Sequence, residues 1–355
     1  MVLRHFKGIP PNSDYQKAVY FFIFEHQFAF LITIIDLKMS EPRQDQTVGV
    51  IGPAGFGGSY LCVELLRRRH AVIGLSRNPD SFGAYPGYTP RSLDIESASI
   101  EDLARDFRDI DVLVSQYGPH TQGAGALQYM PYIEVVRKMI LAVKLSNIKY
   151  FVFVGGAGSL LVPTTHDSLA DHPSFFLSYR RQMAESDAHV KYMEERLSPI
   201  GEGLRVYRNA RLAVKSGKAT TTDLQTIEIY EDNVRKSDRA SDYIKAGRTS
   251  LLFFEGNTSF PWTFVSPSPL YRPGPRTGSY EITIDYVPLK GVQSDENNVL
   301  DGRLTGISAA DLAAAIVDEI ESPKLLHKHW TASADLSNDT AYACYVTAND
   351  IQEHL

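Results

Sequence analysis

The stretch that most constrains the fold of this chain is Thr47-Val48-Gly49-Val50-Ile51-Gly52-Pro53-Ala54-Gly55-Phe56-Gly57-Gly58, a short apolar strand running into three glycines at Gly52, Gly55 and Gly58. A strand followed by such a triplet must turn tightly, let backbone amides approach an anion, and bring the next helix close to the sheet. The amides at that helix start then face a pyrophosphate. A glycine triplet alone fits a plain strand-to-helix turn equally well, so its surroundings matter. From Cys62 to Arg69 the pattern is helical, with Leu61, Leu65 and Leu66 apolar and a basic last turn, and Ala71-Val72-Ile73-Gly74-Leu75-Ser76 reads as a second buried strand. The opening is therefore a βαβ unit, with Gly52, Gly55, Phe56, Gly57 and Gly58 as candidate cofactor-binding residues.

The tip of the second strand bears on which dinucleotide is preferred. An NAD site places an acid about 20 residues beyond the glycines for the ribose hydroxyls, whereas an NADP site favours a cation for the 2′-phosphate. Here the tip reads Ser76-Arg77-Asn78-Pro79, and the first acid, Asp80, follows the proline. Ser76 and Arg77 suit a phosphate, so NADPH is expected over NADH; an ordinary solvated loop charge is the competing account of Arg77.

Farther along, residues 88–93 form a third strand ending at Asp94-Ile95, residues 100–107 a short helix, and residues 111–115 a fourth strand. Residues 130–145 carry apolar side chains at helical spacing, and residues 150–154 are a continuous apolar run. Strands alternating with helices mean an α/β, Rossmann-like, doubly wound parallel sheet. Ligands bind beyond the carboxyl ends of such strands. Asp94 for the adenine amino group, Ile95 for its ring, Ser115, Gly118 for the ribose, and Gly155 therefore join the glycine loop as candidates; strand-end turns explain the same residues.

The other bounds come from composition. At 355 residues with formal charge -6, pI near 5.9 and two cysteines, Cys62 and Cys344, the chain has no electrostatic footprint for nucleic acid or an anionic membrane and no metal-ligand spacing. A small-molecule substrate and a reducing, cytoplasmic setting are expected. Residues 19–37 are strongly apolar, yet Glu25, His26 and Gln27 sit in their middle, where an ionised group is costly in hydrocarbon, and no membrane span or signal sequence is read there. Residues 1–38 are read as an extension outside the core fold, with Met39 as a natural chain start.

Gly52-Pro53-Ala54-Gly55-Phe56-Gly57-Gly58, Ser76-Arg77-Asn78-Pro79, Phe153-Val154-Gly155-Gly156-Ala157-Gly158-Ser159-Leu160, Trp262-Thr263-Phe264-Val265-Ser266-Pro267 and Arg276-Thr277-Gly278 together resemble the atypical short-chain dehydrogenase group of NAD(P)H-binding, NmrA-like proteins often described as NADH-flavin reductases. The resemblance spans residues 47–332 and includes Gly306-Ile307-Ser308-Ala309-Ala310-Asp311-Leu312-Ala313 near the last helix. It implies that residues 262–266 are the sixth strand and that the proline-rich loop after it borders the nicotinamide side. Against the family pattern, residues 198–238 are a polar insertion, with a lid, an oligomer contact or a plain solvated excursion as the readings open for it. Residues 333–355 form a C-terminal tail, docked or frayed.

Typical short-chain dehydrogenases take a proton from Tyr-x-x-x-Lys. After the fifth strand the first helical tyrosine is Tyr179, and methionine replaces that lysine at Met183. Tyr179 is the candidate catalytic residue, with ring packing as its alternative role. His120, His166 and His172, in loops expected at the rim, are further candidate acids, with plain polar loop residues as the alternative. Three functions remain open: NADPH-dependent reduction of a flavin, quinone or enone, which needs no protein acid; a secondary-metabolite ketoreductase or dehydratase; and a non-catalytic NADP sensor with regulatory partners.

Overall fold

The computed structural model describes residues 43–118, 128–236, 239–291 and 299–351. The extension at residues 1–38 and His120 lie outside them. The apolar runs become the strands β1 (Arg43–Ile51), β2 (His70–Ser76), β3 (Tyr88–Ser92), β4 (Val112–Ser115), β5 (Tyr150–Val154) and β6 (Trp262–Val265). They pair in parallel in the order β3-β2-β1-β4-β5-β6; the sheet is extended by β10 (His329–Ser333), parallel to β6, and closed by β8 (Glu281–Ile284), antiparallel to β10. A separate parallel pair joins β7 (Leu270–Arg272) to β9 (Gly306–Ser308).

Both faces of the sheet's middle are buried, which is why β4, β5 and β6 are almost continuously apolar rather than alternating, whereas the edge strands β3 and β8 are largely exposed. In β5, Tyr150, Val152 and Val154 join one core while Phe151 and Phe153 join the other. The first face is covered by α1 (Phe56–Arg67), by α8 (Ala309–Glu321) and by the beginning of α5 (Asp187–Lys215); the second by α2 (Ile100–Asp106), α3 (Tyr129–Leu145) and α7 (Arg239–Leu251). Ser99 and Ser308 cap α2 and α8 by accepting from Asp102 N and Asp311 N, the expected chemistry for orphan amides at a helix start.

The segment read as a polar insertion is helical. α5 runs from Asp187 through a kink at Leu197 and Ser198, just before Pro199, and continues to Lys215; α6 (Thr221–Arg235), opened by a capping box between Thr220 and Asp223, returns against it. Tyr207 and Tyr230 stack at 4.2 Å between the two helices, and Glu231 accepts from Arg181 of α4 (Phe175–Met183) and from Tyr207. Its polar sequence thus conceals a helical hairpin with its own tyrosine seam.

The described part of the tail, to Ile351, is docked. Tyr60 of α1 donates to the Ala343 carbonyl at 2.7 Å, Val346 N donates to Ser59 Oγ at 3.3 Å, and Cys344, Val346, Ala348 and Ile351 are buried in the core of that face.

Candidate active site

The loop after β1 builds the site from backbone geometry. Gly52 sits at φ +79°, a left-handed conformation open to glycine at little cost, and its amide donates to the Leu75 carbonyl. Its own carbonyl accepts from Gly55 N at 3.1 Å. A β-carbon at Gly58 would lie 1.9 Å from that same carbonyl oxygen, so α1 can approach the turn only with glycine there. The first-turn amides of α1 lack intrahelical acceptors by construction and point out of this turn, where the helix dipole favours an anion. Such a cradle fits a dinucleotide pyrophosphate.

A cavity of about 350 Å³ continues from Gly55, Phe56 and Gly57 across the ends of β4, β5 and β6. That lies within the ~300–1,000 Å³ range of ligand pockets. Gly118, Gly155 and Tyr179 line it, as do Gln116 of the β4 rim, Tyr271 at the end of the loop expected on the nicotinamide side, and Tyr192, which the sequence did not single out. Its walls are aromatic. Phe56 packs against Tyr192 and Tyr271, each with ring centres 4.8 Å away, and Tyr179 stacks on Phe175 at 5.4 Å. At the opposite wall Tyr117 stacks on Tyr132 and donates to Glu96 Oε1. Burial, reinforced by the Glu96 carboxylate, raises the Tyr117 pKa and keeps that phenol protonated.

Of the remaining candidates, four stand at the tips of β2 and β3 and Ser115 at the end of β4, all of them outside the lining of this cavity. Ser76 is half-buried and Arg77 exposed, next to Asp94 and the buried Ile95. Desolvation opposes ionisation of Asp94, but hydrogen bonds from Ser97 and from the Glu96 and Ser97 amides, with the charge of Arg77, hold its carboxyl below the usual range. Ser115 is buried; its hydroxyl meets Met139 Sδ at 3.6 Å and accepts from Tyr117 N. Ser76, Arg77, Asp94 and Ile95 occupy the β2 and β3 end of the ligand edge, Ser115 ends β4, and the aromatic cavity occupies the β4 to β6 end.

Two histidines fall elsewhere. The exposed His166, at φ +61°, has Nδ1 3.0 Å from the Tyr286 hydroxyl; His172 pairs with Ser174 Oγ at 3.0 Å, and burial lowers its pKa. Neither lines the cavity. Cys62 and Cys344 are buried thiols whose pKa burial raises. Among the described residues no group of three or more His, Cys, Asp or Glu side chains could hold a metal ion, and no helix is long and apolar enough to cross a membrane.

A glycine cradle at the first strand of a 3-2-1-4-5-6 sheet, opening into a cavity at the point where the strand order reverses, defines a Rossmann-type dinucleotide-binding protein. Residues 52–196 match the model of the NAD(P)H-binding family. The uncharacterized protein YwnB of Bacillus subtilis is 24% identical over 290 residues, covering 81% of this chain and 98% of that protein. A candidate epimerase from Bacteroides thetaiotaomicron superposes with TM-score 0.54 at 22% identity, covering 82% of this chain and 99% of that one. A candidate NADH-flavin reductase from Streptococcus pneumoniae does so with TM-score 0.52 at 18% identity, covering 82% and 100%. These likenesses establish the shared fold.

Proposed function

We propose that the protein is an NADPH-dependent reductase that transfers hydride to a planar flavin, quinone or enone acceptor. The observation that carries this reading is the continuity of the glycine cradle with a ring-lined cavity: a dinucleotide seated on α1 would extend its reactive end among Phe56, Tyr179, Tyr192 and Tyr271. The bound nicotinamide would supply the hydride. The chain's part is to orient and to exclude water. The amides of α1 hold the pyrophosphate, Arg77 and Ser76 take the 2′-phosphate, Asp94 and Ile95 flank the adenine, and the aromatic walls stack the acceptor against the nicotinamide. Acceptors whose reduced forms delocalise charge need no protein acid, in keeping with Met183 four residues after Tyr179.

One observation favours a second reading. Tyr179 does line the cavity, so a ketoreductase using its hydroxyl as proton donor has the required group in place. Titration with NADPH and NADH by fluorescence, followed by addition of flavin, quinone, enone and ketone acceptors, tests both. Acceptor-dependent oxidation of NADPH with the first three supports the flavin or quinone reductase, oxidation with ketones alone supports the second reading, and binding without turnover points to an NADP sensor. No binding of either dinucleotide would overturn all three.

A further inference from the structure

Among the described residues lining the cavity there is one cation, Arg196, and no carboxylate. It ends the first half of α5, immediately before the kink at Leu197 and Ser198. Its guanidinium carbon lies 5.2 Å from the centre of the Phe56 ring and 5.8 Å from that of Tyr192, and its Nη1 donates to the Tyr192 hydroxyl. Two ring faces and a phenol oxygen therefore fix a planar charge in one orientation. Glu195, the neighbouring acid, faces the Cys344 thiol and is no part of the lining.

The place of Arg196 along the ligand edge is informative. α5 packs beside β7, which follows β6, whereas the 2′-phosphate candidates Ser76 and Arg77 end β2 at the other side of the sheet. The pyrophosphate between them already has the amides of α1. Arg196 is thus a fixed positive charge on the acceptor side. Tyr345, carried there by the docked tail, is half-exposed and lines the same cavity.

We propose that Arg196 is the specificity-determining residue of the acceptor: it pairs with an acidic substituent on a planar ring system, while Tyr192 and Tyr345 wall the ring. The acceptor class is therefore anionic aromatic molecules rather than neutral quinones or enones. This rests on the reductase reading, and its test is chosen to separate the two.

Riboflavin and FMN share one ring system and differ by a phosphate. Binding of each to the full-length protein with NADP⁺ present, read by flavin fluorescence quenching, should favour FMN by at least about tenfold, the effect of one charge-assisted contact. Arg196→Ala should bring FMN to the riboflavin level, Arg196→Lys should keep part of the preference, and NADP⁺ affinity should stay within about twofold. Tyr345→Ala should weaken both flavins and leave the preference intact. Equal binding of the two flavins by the unaltered protein overturns the proposal. So does an Arg196→Ala variant that loses NADP⁺ by the same factor as FMN, which would make Arg196 a pyrophosphate contact, or one that weakens both flavins alike. A selective flavin site that supports no NADPH oxidation would remove the reductase reading and leave the anion site standing.

Discussion

Gly58 approaches the Gly52 carbonyl so closely that a β-carbon there would sit 1.9 Å from the oxygen. Both partners are backbone, and Gly52 is itself pinned by its hydrogen bond to Leu75, so neither can yield cheaply. Gly58→Ala should therefore cost ~3 kcal/mol, the upper end for overpacking, through displacement of α1 from the turn. A fall in melting temperature together with lost dinucleotide binding is the expected result; a variant that melts and binds normally would show that α1 can slide.

Arg77 bears on a different property, the proposed preference for NADPH. It is exposed and adjoins Asp94 through charge alone, so its removal should leave the fold intact. Arg77→Ala is expected to weaken NADPH by about tenfold, or ~1.4 kcal/mol, with NADH changed by less than about twofold. The NADPH advantage should also shrink as salt rises, because an exposed charge is screened. Equal losses for both dinucleotides would remove Arg77 from the 2′-phosphate.

The first half of the site was legible because it is local. Strand, glycine turn and helix follow within a few residues of Gly52, and the apolar period of β4, α3 and β5 fixes the edge on which their ends gather. Tyr192, Arg196 and Tyr345 were not legible. Tyr192 and Arg196 are one helical turn apart, an available signal, but what turns them inward is the packing of Tyr192 on Phe56, a contact 136 residues distant in sequence. Tyr345 had no signal at all, since its tail is brought to the cavity by hydrogen bonds to Ser59 and Tyr60 and by burial of Cys344, Val346, Ala348 and Ile351, all contacts far apart in sequence. Polarity likewise disguised the α5–α6 hairpin, whose tyrosine seam and Glu231 ion pairs hold it with few aliphatic side chains.

Tyr179 separates the two chemical readings. Tyr179→Phe preserves the stack on Phe175 and removes only the hydroxyl. With flavin or quinone acceptors kcat should remain within about threefold, whereas ketone reduction, if present, should drop about 10²- to 10⁴-fold. Steady-state rates with both acceptor types decide it, and a flavin rate that collapses would mean that the phenol is needed even there.

The docked tail can be tested by removal. Deleting residues 340–355 takes Cys344, Val346, Ala348 and Ile351 away from α1 and leaves apolar surface of that core exposed. Full burial of one aliphatic side chain is worth ~1.5–3 kcal/mol, so a loss of several kcal/mol is expected, with a wider cavity mouth now lacking Tyr345. Denaturant unfolding of the truncated and full-length chains measures this; identical midpoints would mean that the tail adds nothing to the core.

His189 gives the fold a specific response to acid. It lies buried in the first turn of α5, its Nε2 has no hydrogen-bond partner among the described residues, and burial, then the charges of Arg272 and Arg180, push its pKa from 6.5 down to about 3. The folded protein thus keeps His189 neutral at pH values where the unfolded chain protonates it. Between about pH 6.5 and 3 the unfolded state holds the extra proton, so stability falls as pH falls, by up to ~1.4 kcal/mol per pH unit, and above pH 6.5 this residue adds no pH dependence. His189→Leu removes that linkage and the unpaired nitrogen together. The free energy of unfolding of the variant should therefore gain steadily on that of the parent between pH 6.5 and 4.5, with contributions from carboxylates common to both chains cancelling in the difference. A difference that stays constant across this window would mean that His189 takes up its proton without unfolding.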